Sequence, residues 1–315
     1  MTISRTLSTA GAVWIAWGCV AGMLGCSGEA GSRAGEATGS EGQDLTGPYT
    51  ITLSAPDPLS STAPVLEGAN GVTVNSNSTV LAGTIVAMGA SGFSAGGSAV
   101  VNDVWSRGTA HLSTNVRVRG TLHAASAVTS LGDVIGATDT TPPFDPPTTR
   151  TWTVTYPTGT PTNVSVPQSQ TQALAPGLYG AVAVGSNGTL DLAAGTYYLT
   201  SLSLSPRATV SVAQATGPVI VYVSTSATLG GSFSGVSTTA DLLVGYFGTA
   251  AITVGDTSCT LLGGTCLPFV GSIIAPSATV TLQAIASGPH SGFFAAPQLV
   301  LAANARVRYR APTAF

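Results

Sequence analysis

The sequence predicts an all-β protein, specifically a right-handed parallel β-helix with coils of about 18 to 21 residues. Only 7% of the 315 residues are charged, and the chain contains 39 glycines and 19 prolines. This composition suits short strands closed by tight turns, whereas long helices need Glu, Lys, Leu and Arg. A repeat of alternating apolar residues is the second reason, because stacked equivalent strands produce such a repeat in a solenoid.

All ten basic residues are arginines, and the formal net charge is −3. A nucleic-acid backbone is bound by a broad basic surface, which this chain cannot supply. We therefore expect no nucleic-acid partner.

The first 25 residues have the features of a signal peptide. An apolar run at 11–24 is shorter than the roughly 20 residues that a membrane-spanning helix needs. Met23-Leu24-Gly25-Cys26 resembles a bacterial lipobox, so we expect a lipid on Cys26. Ser27 stands where a signal for inner-membrane retention would have Asp, which favours the outer membrane or cell surface. Cleavage without lipidation is the alternative.

Residues 26–47 contain almost no side chain able to bury apolar surface, and we expect a flexible tether there. After Pro48 the sequence changes to short Val, Ile, Leu and Thr runs. We expect the first β-helical coils at 48–137 and the main β-helical domain at 171–315.

The clearest repeat lies in the second half of the chain. AVAVGSNGTLDL and SLSLSPRATVSV contain alternating apolar residues that match at an offset of twenty positions. The matched pairs are Val182 and Leu202, Val184 and Leu204, Leu190 and Val210, and Leu192 and Val212. A second repeat relates Gly271–Pro276 to Gly292–Pro297. Each matched pair should face inward on successive coils.

Residues 138–170 hold seven of the nineteen prolines. Proline cannot donate to a sheet ladder, so this segment should interrupt the coils. It is either a long excursion between two sets of coils or a linker between two β-helical halves.

The motifs LAPGLYGAVAV (174–184), AAGTYYL (193–199) and the repeated Ala-Pro carry a resemblance. Residues 140–310 resemble an uncharacterised β-helical domain of bacterial pilus-assembly-associated and surface proteins. The resemblance implies a cell-surface structural module without catalytic residues. The family's terminal His-Tyr-Asp triplet is Arg308-Tyr309-Arg310 here, which retains only the tyrosine.

Cys259 and Cys266 flank a Gly-Gly turn and could meet across a hairpin. Because an exported protein encounters an oxidising environment, we predict a disulfide between them. A zinc site would need more ligands than the single downstream histidine, His290, so no metal or other cofactor is expected. His111 and His123 are expected to be surface turn or strand residues.

Two enzyme classes can be weighed against a structural role. Gly92-Phe93-Ser94-Ala95-Gly96 matches the nucleophile elbow of α/β-hydrolases, and Asp256 and His290 follow in the required order. However, no alternation of strands with amphipathic helices is visible, and a Gly- and Ser-rich chain produces this pattern by chance. The alternative retained is a carbohydrate-active β-helix enzyme, a lyase or glycoside hydrolase, although the acids are scattered.

Arg306, Arg308 and Arg310 alternate with Val307 and Tyr309. A strand there would present three guanidinium groups on one face, near Arg117 and Arg119 on another coil. Anionic cell-surface polysaccharide is a candidate ligand for this face; the alternative is a solvated strand that prevents edge-to-edge association. Together these features predict a non-enzymatic, lipid-anchored surface protein for structure or adhesion, with the membrane, surface polysaccharide or envelope proteins as partners.

Overall fold

The computed structural model describes residues 50–56, 64–129, 133–141, 149–214, 216–234, 241–255 and 266–312. Every regular element in these ranges is a β-strand, so none of them contains a helix that could cross a membrane. The strands are β1 (Thr50–Pro56), β2 (Leu66–Val74), β3 (Thr79–Ala82), β4 (Ile85–Ala87), β5 (Gly92–Ala95), β6 (Val100–Val101), β7 (Val104–Leu112), β8 (Arg117–Val128), β9 (Val134–Asp139), β10 (Thr149–Thr155), β11 (Thr162–Val166), β12 (Thr171–Leu174), β13 (Gly177–Val184), β14 (Thr189–Ala193), β15 (Gly195–Leu204), β16 (Thr209–Ala213), β17 (Val219–Leu229), β18 (Ser232–Ser234), β19 (Leu242–Tyr246), β20 (Ile252–Val254), β21 (Val270–Ile274), β22 (Val280–Leu282), β23 (His290–Leu301) and β24 (Arg306–Arg308).

The strands stack in parallel as a β-solenoid of about 11 turns, which confirms the predicted fold class. The predicted repeat is also confirmed, since Val182 lies opposite Leu202 and Leu190 lies opposite Val210. These four side chains are buried in one continuous core, which is mainly aliphatic. Alternate positions point away from it, as the exposed Ser203 does.

The coils are less uniform than the predicted 18 to 21 residues. Val164 faces Val182, 18 positions later, but Leu202 faces Ala227, 25 positions later, and Val244 faces Ile273, 29 positions later. The prediction is therefore wrong for the middle coils. Connections at the corners of a solenoid can lengthen without disturbing the ladder, because only the strands pack against neighbouring coils.

Tight corners explain the recurrent Asn and Ser of the repeats. Seven four-residue turns have a third residue with φ between 58° and 63°, in the left-handed region. These residues are Asn77, Ser98, Asn115, Ser169, Asn187, Arg207 and Asn304. Asn tolerates this region better than most residues other than glycine. The corners also stack, since the Asn77 N–H donates to the Gly97 carbonyl at 3.0 Å.

The second repeat has a steric cause. Gly271 and Gly292 are paired across neighbouring coils, with φ of 152° and 141°. A Cβ on Gly292 would collide with the backbone of Gly271. Glycine is thus required where two successive strands begin in close contact.

The coils do not stack in chain order. β2 pairs in parallel with β23, and β3 pairs with β24, so the first coil of the chain lies directly on the last. We call this junction the seam. The two β-helical stretches therefore form one solenoid, in which the coils of 64–139 follow those of 162–312.

Residues 140–161, which we call the strap, connect β9 at one end of the stacked coils to β11 at the other. Within the strap, β10 pairs antiparallel with β1, so β1 lies outside the solenoid ladder. Val154 and Tyr156 of the strap segment pack on Tyr222 at the side of the solenoid. The Pro-rich segment predicted at 138–170 contains this connection, and the coils resume at β11, within that segment.

Candidate ligand-binding faces

One side of the solenoid, which we call the serine/threonine face, carries a column of outward residues most of which are Ser or Thr. Each successive strand contributes one outward-facing residue to this column. In the described strands these residues are Ser165, Ala183, Ser203, Thr228, Thr253, Thr281, Val300, Thr73, Ser94, His111 and Val128. This column contains no Asp, Glu, Lys or Arg. At about 4.8 Å per strand it extends for about 50 Å.

A second side carries the predicted arginine face. Arg306 and Arg308 are exposed while Val307 between them is buried, so the predicted alternation is confirmed in β24. Arg306 and Arg117 belong to one ladder column, through Thr79 and Val100. Three strand steps separate them by about 14 Å. Arg308 Nε donates to Ser291 Oγ at 2.8 Å, which fixes one guanidinium.

Arg310 and Arg119, the other two arginines in this part of the solenoid, differ in their positions relative to the strands. Arg310 follows the end of β24 and is only half exposed, so it is not part of the strand. Arg119 is exposed two residues after Arg117 on β8. The structure thus places Arg306, Arg308, Arg117 and Arg119 on strands of this side, and Arg310 at its margin.

The third side, the flank, is apolar even though it faces away from the main core. Leu243, Ile274 and Phe293 are each at most 1% exposed and form a cluster separate from the core. A neighbouring cluster joins Tyr222 to Val154 and Tyr156 of the strap. Sequence reasoning did not identify this second apolar layer.

The flank ends in an aromatic stack near β9. The rings of Trp105 and His123 lie parallel, with centroids 3.9 Å apart, and His123 Nδ1 is 3.1 Å from Asp139 Oδ2. The Thr141 N–H donates to Asp139 Oδ1, and this bond and the one to His123 hold the pKa of Asp139 below its usual range. His123 is therefore a strand residue as expected, with a structural role that the sequence did not reveal.

Glu67 is a carboxyl side chain on the otherwise apolar flank. It lies at the seam opposite Ala295, and its Oε2 has no hydrogen-bond partner. Burial raises the pKa of this carboxyl to about 8. It borders a cavity of about 90 Å³ lined by Glu67, Ala69, Ile274, Pro276, Ala295, Ala296 and Pro297.

Two other carboxylates serve the backbone. Asp103 Oδ1 accepts the Thr121 N–H, and Asp133 Oδ1 accepts the Val116 N–H, each at 2.8 Å. The first of these bonds lies beside a break in the ladder register, where an amide would otherwise lack a partner. Each of these two carboxylates therefore holds a backbone amide of the neighbouring coil.

The hydrolase constellation is not assembled in the described residues. Ser94 lies in a parallel ladder between Thr73 and His111. His290 is buried on another coil, where Nδ1 accepts the Phe269 N–H at 3.1 Å and Nε2 lies 2.8 Å from the Gln283 carbonyl. Burial lowers the pKa of His290 to about 4. Asp256 lies outside the described residues.

The predicted lipidation and disulfide positions fall mostly beyond the described part of the chain. Cys26 and Cys259 lie outside it, and Cys266 is buried beside Ile285. Both assignments stay predictions. In the described ranges, no group of three or more His, Cys, Asp or Glu is placed to hold a metal ion.

Comparison of the chain with protein-family models, with curated proteins and with solved structures gives no match.

Proposed function

We propose that the protein is an exported, lipid-anchored, non-enzymatic component of the cell surface that acts in structure or adhesion. The observation that supports this most is the serine/threonine face, whose column runs along the stacked strands of the described residues without a charged side chain. A catalytic β-helix would instead need a groove with convergent carboxylates. In the described part of the chain, Asp103 and Asp133 hold backbone amides, Asp139 is paired with His123, and the half-buried Glu67 has an Oε2 without a hydrogen-bond partner.

The anchor is the first part of the proposal to test. We expect the mature protein to begin at a lipidated Cys26 and to partition with membranes. Cys26→Ala should release the protein or stop its processing, because no thiol remains to carry the lipid. Detergent fractionation with mass measurement of the mature N-terminus decides this. An unmodified N-terminus, or unchanged membrane partitioning of the variant, would contradict the anchor.

The ligand of the arginine face is the second part. Arg117 and Arg306 share one column and are exposed, which suits an extended anionic polysaccharide that spans several coils. We expect Arg117→Gln/Arg306→Gln to weaken binding to such a polysaccharide at least tenfold and to reduce its salt dependence. The matched control is the double variant Arg107→Gln/Arg207→Gln, which removes the same charge elsewhere.

Binding is measured on immobilised anionic polysaccharide at two ionic strengths. Equal loss in both double variants would mean that only net charge matters, and no binding by the parent would remove this ligand from the proposal. The enzymatic alternative has its own readout, since cleavage would lower the polysaccharide's molecular mass during incubation. Stable mass supports the structural role.

A further inference from the structure

The seam divides the solenoid into two modules. The N-module comprises residues 64–139 and the C-module comprises residues 162–312, and each has its own uninterrupted ladder. Within the solenoid, the chain passes between them only through the strap. Their association therefore depends on contacts made at the seam and along the flank.

The seam is a parallel ladder like the junctions inside the modules, with one register shift between Gly68 and Gly71. Seven register pairs join β2 to β23, from Leu66 opposite Phe294 to Val74 opposite Leu301. Further backbone bonds continue at the corner, where the Asn304 N–H donates to the Ser76 carbonyl at 3.0 Å. Each module thus presents the strand edge that the other completes.

The strap is long enough to span the solenoid from β9 to β11. It contains 22 residues, with a maximum reach of about 73 Å. The ladder distance from β9 to β11 is about 53 Å, from eleven strand steps of about 4.8 Å each. The contour length of the strap therefore exceeds the ladder distance, and the seam contacts are the same whether the two modules belong to one chain or to two.

The order of synthesis exposes the seam edge of the N-module. β2 precedes its partner β23 by more than two hundred residues, so its pairing edge stays open until nearly the whole chain has been made. Every other copy of the chain presents the same β23 edge as an alternative partner for β2. Where copies are concentrated, mass action favours pairing between chains over pairing within one chain.

We propose that the seam is an assembly site, at which the N-module of one chain stacks on the C-module of a second copy. The exchanged assembly retains the ladder pairs of the closed chain and links copies through their straps. This goes beyond the proposed function and does not rest on the lipid anchor or on any ligand.

The test uses cysteines placed across the seam. Thr73 and Val300 are register neighbours on β2 and β23, and parallel neighbours lie at a Cα separation suitable for a disulfide. Full-length Thr73→Cys and Val300→Cys chains, with different tags, are co-expressed and oxidised. Exchange predicts a covalent heterodimer on a non-reducing gel.

A control pair within one module distinguishes exchange from random collision. Thr281 and Val300 are also register neighbours, but both belong to the C-module. Co-expressed Thr281→Cys and Val300→Cys chains should therefore give no heterodimer. The Thr73→Cys/Val300→Cys double variant in one chain confirms that the geometry permits a bond.

Heterodimer from the seam pair alone supports the proposal. Absence of heterodimer, when the double variant forms its disulfide, would overturn it, and so would equal heterodimer from both pairs. Loss of polysaccharide binding or of membrane partitioning has no bearing on this readout, so the two proposals fail separately.

Discussion

Replacement of Glu67 by Gln should stabilise the protein at neutral pH. The folded chain raises the pKa of this carboxyl from 4.5 to about 8, because burial disfavours the ionised form and Oε2 has no partner. In the unfolded chain the same group ionises near pH 4.5. Folding at neutral pH must therefore take up a proton, and this uptake costs free energy.

The magnitude follows from the difference between the two pKa values. Below pH 4.5 the carboxyl is protonated in both states, and there is no cost. Above it, each pH unit costs about 1.36 kcal/mol until the folded group itself ionises near pH 8. The penalty is thus about 3 kcal/mol at pH 7 and about 4 kcal/mol at pH 8.

Urea unfolding of the parent and of Glu67→Gln at pH 4, 7 and 8 measures this difference. Gln has nearly the same size and no titratable proton, so the two proteins should agree at pH 4 and diverge as the pH rises, with the variant more stable. A control, Asp191→Asn, removes a carboxylate from a half-exposed strand position and should change stability within about 0.5 kcal/mol. A parent and variant with parallel pH profiles would refute the account of Glu67.

Three further predictions concern the core, a buried histidine and a corner. Leu204→Asp should lower the free energy of unfolding by more than about 4 kcal/mol or abolish soluble export, because the Leu204 side chain is only 1% exposed. Ser203→Asp, on the exposed side of the same strand, should change stability little in the same urea unfolding experiment. Equal tolerance of the two substitutions would contradict the inward ladder. Because His290 is buried in its neutral form, the free energy of unfolding should fall by up to about 3 kcal/mol as the pH decreases from 6.5 towards 4. His290→Phe should reduce this pH dependence in urea unfolding. An unchanged pH dependence would mean that other groups cause it. Ser98 has a φ of 62°, so Ser98→Asn should slightly raise the melting temperature measured by calorimetry. Ser98→Val should lower it, with a loss of about 1 to 2 kcal/mol in stability. The reverse order would mean that the corner is not left-handed.

The flank shows what a fuller interpretation of the sequence could have recovered. VIVYV at 219–223 and LLVGY at 242–246 are apolar at nearly every position, and their outward residues are largely buried. Near-continuous apolar strands indicate burial on both faces, whereas the alternating SLSL of 201–204 has one exposed face. The difference between these patterns was a signal for a second covered layer, and only the alternation was interpreted.

The sequence by itself determined the strands, their inward faces and the corners, because these depend on local properties. Period-two alternation selects the buried side of a strand, and Asn or Ser suits the left-handed corner. The offset of twenty residues between Val182 and Leu202 then fixes neighbouring coils.

Only the tertiary structure decided which coil follows which. Every coil presents a similar ladder of Val, Leu and Ile to its neighbour, so no local pattern identifies β23 as the partner of β2. The raised pKa of Glu67, the buried His290 and the stack of Trp105 on His123 depend in the same way on contacts between residues distant in sequence. Desolvation and ring stacking depend on which coils are neighbours, so local sequence patterns do not predict them.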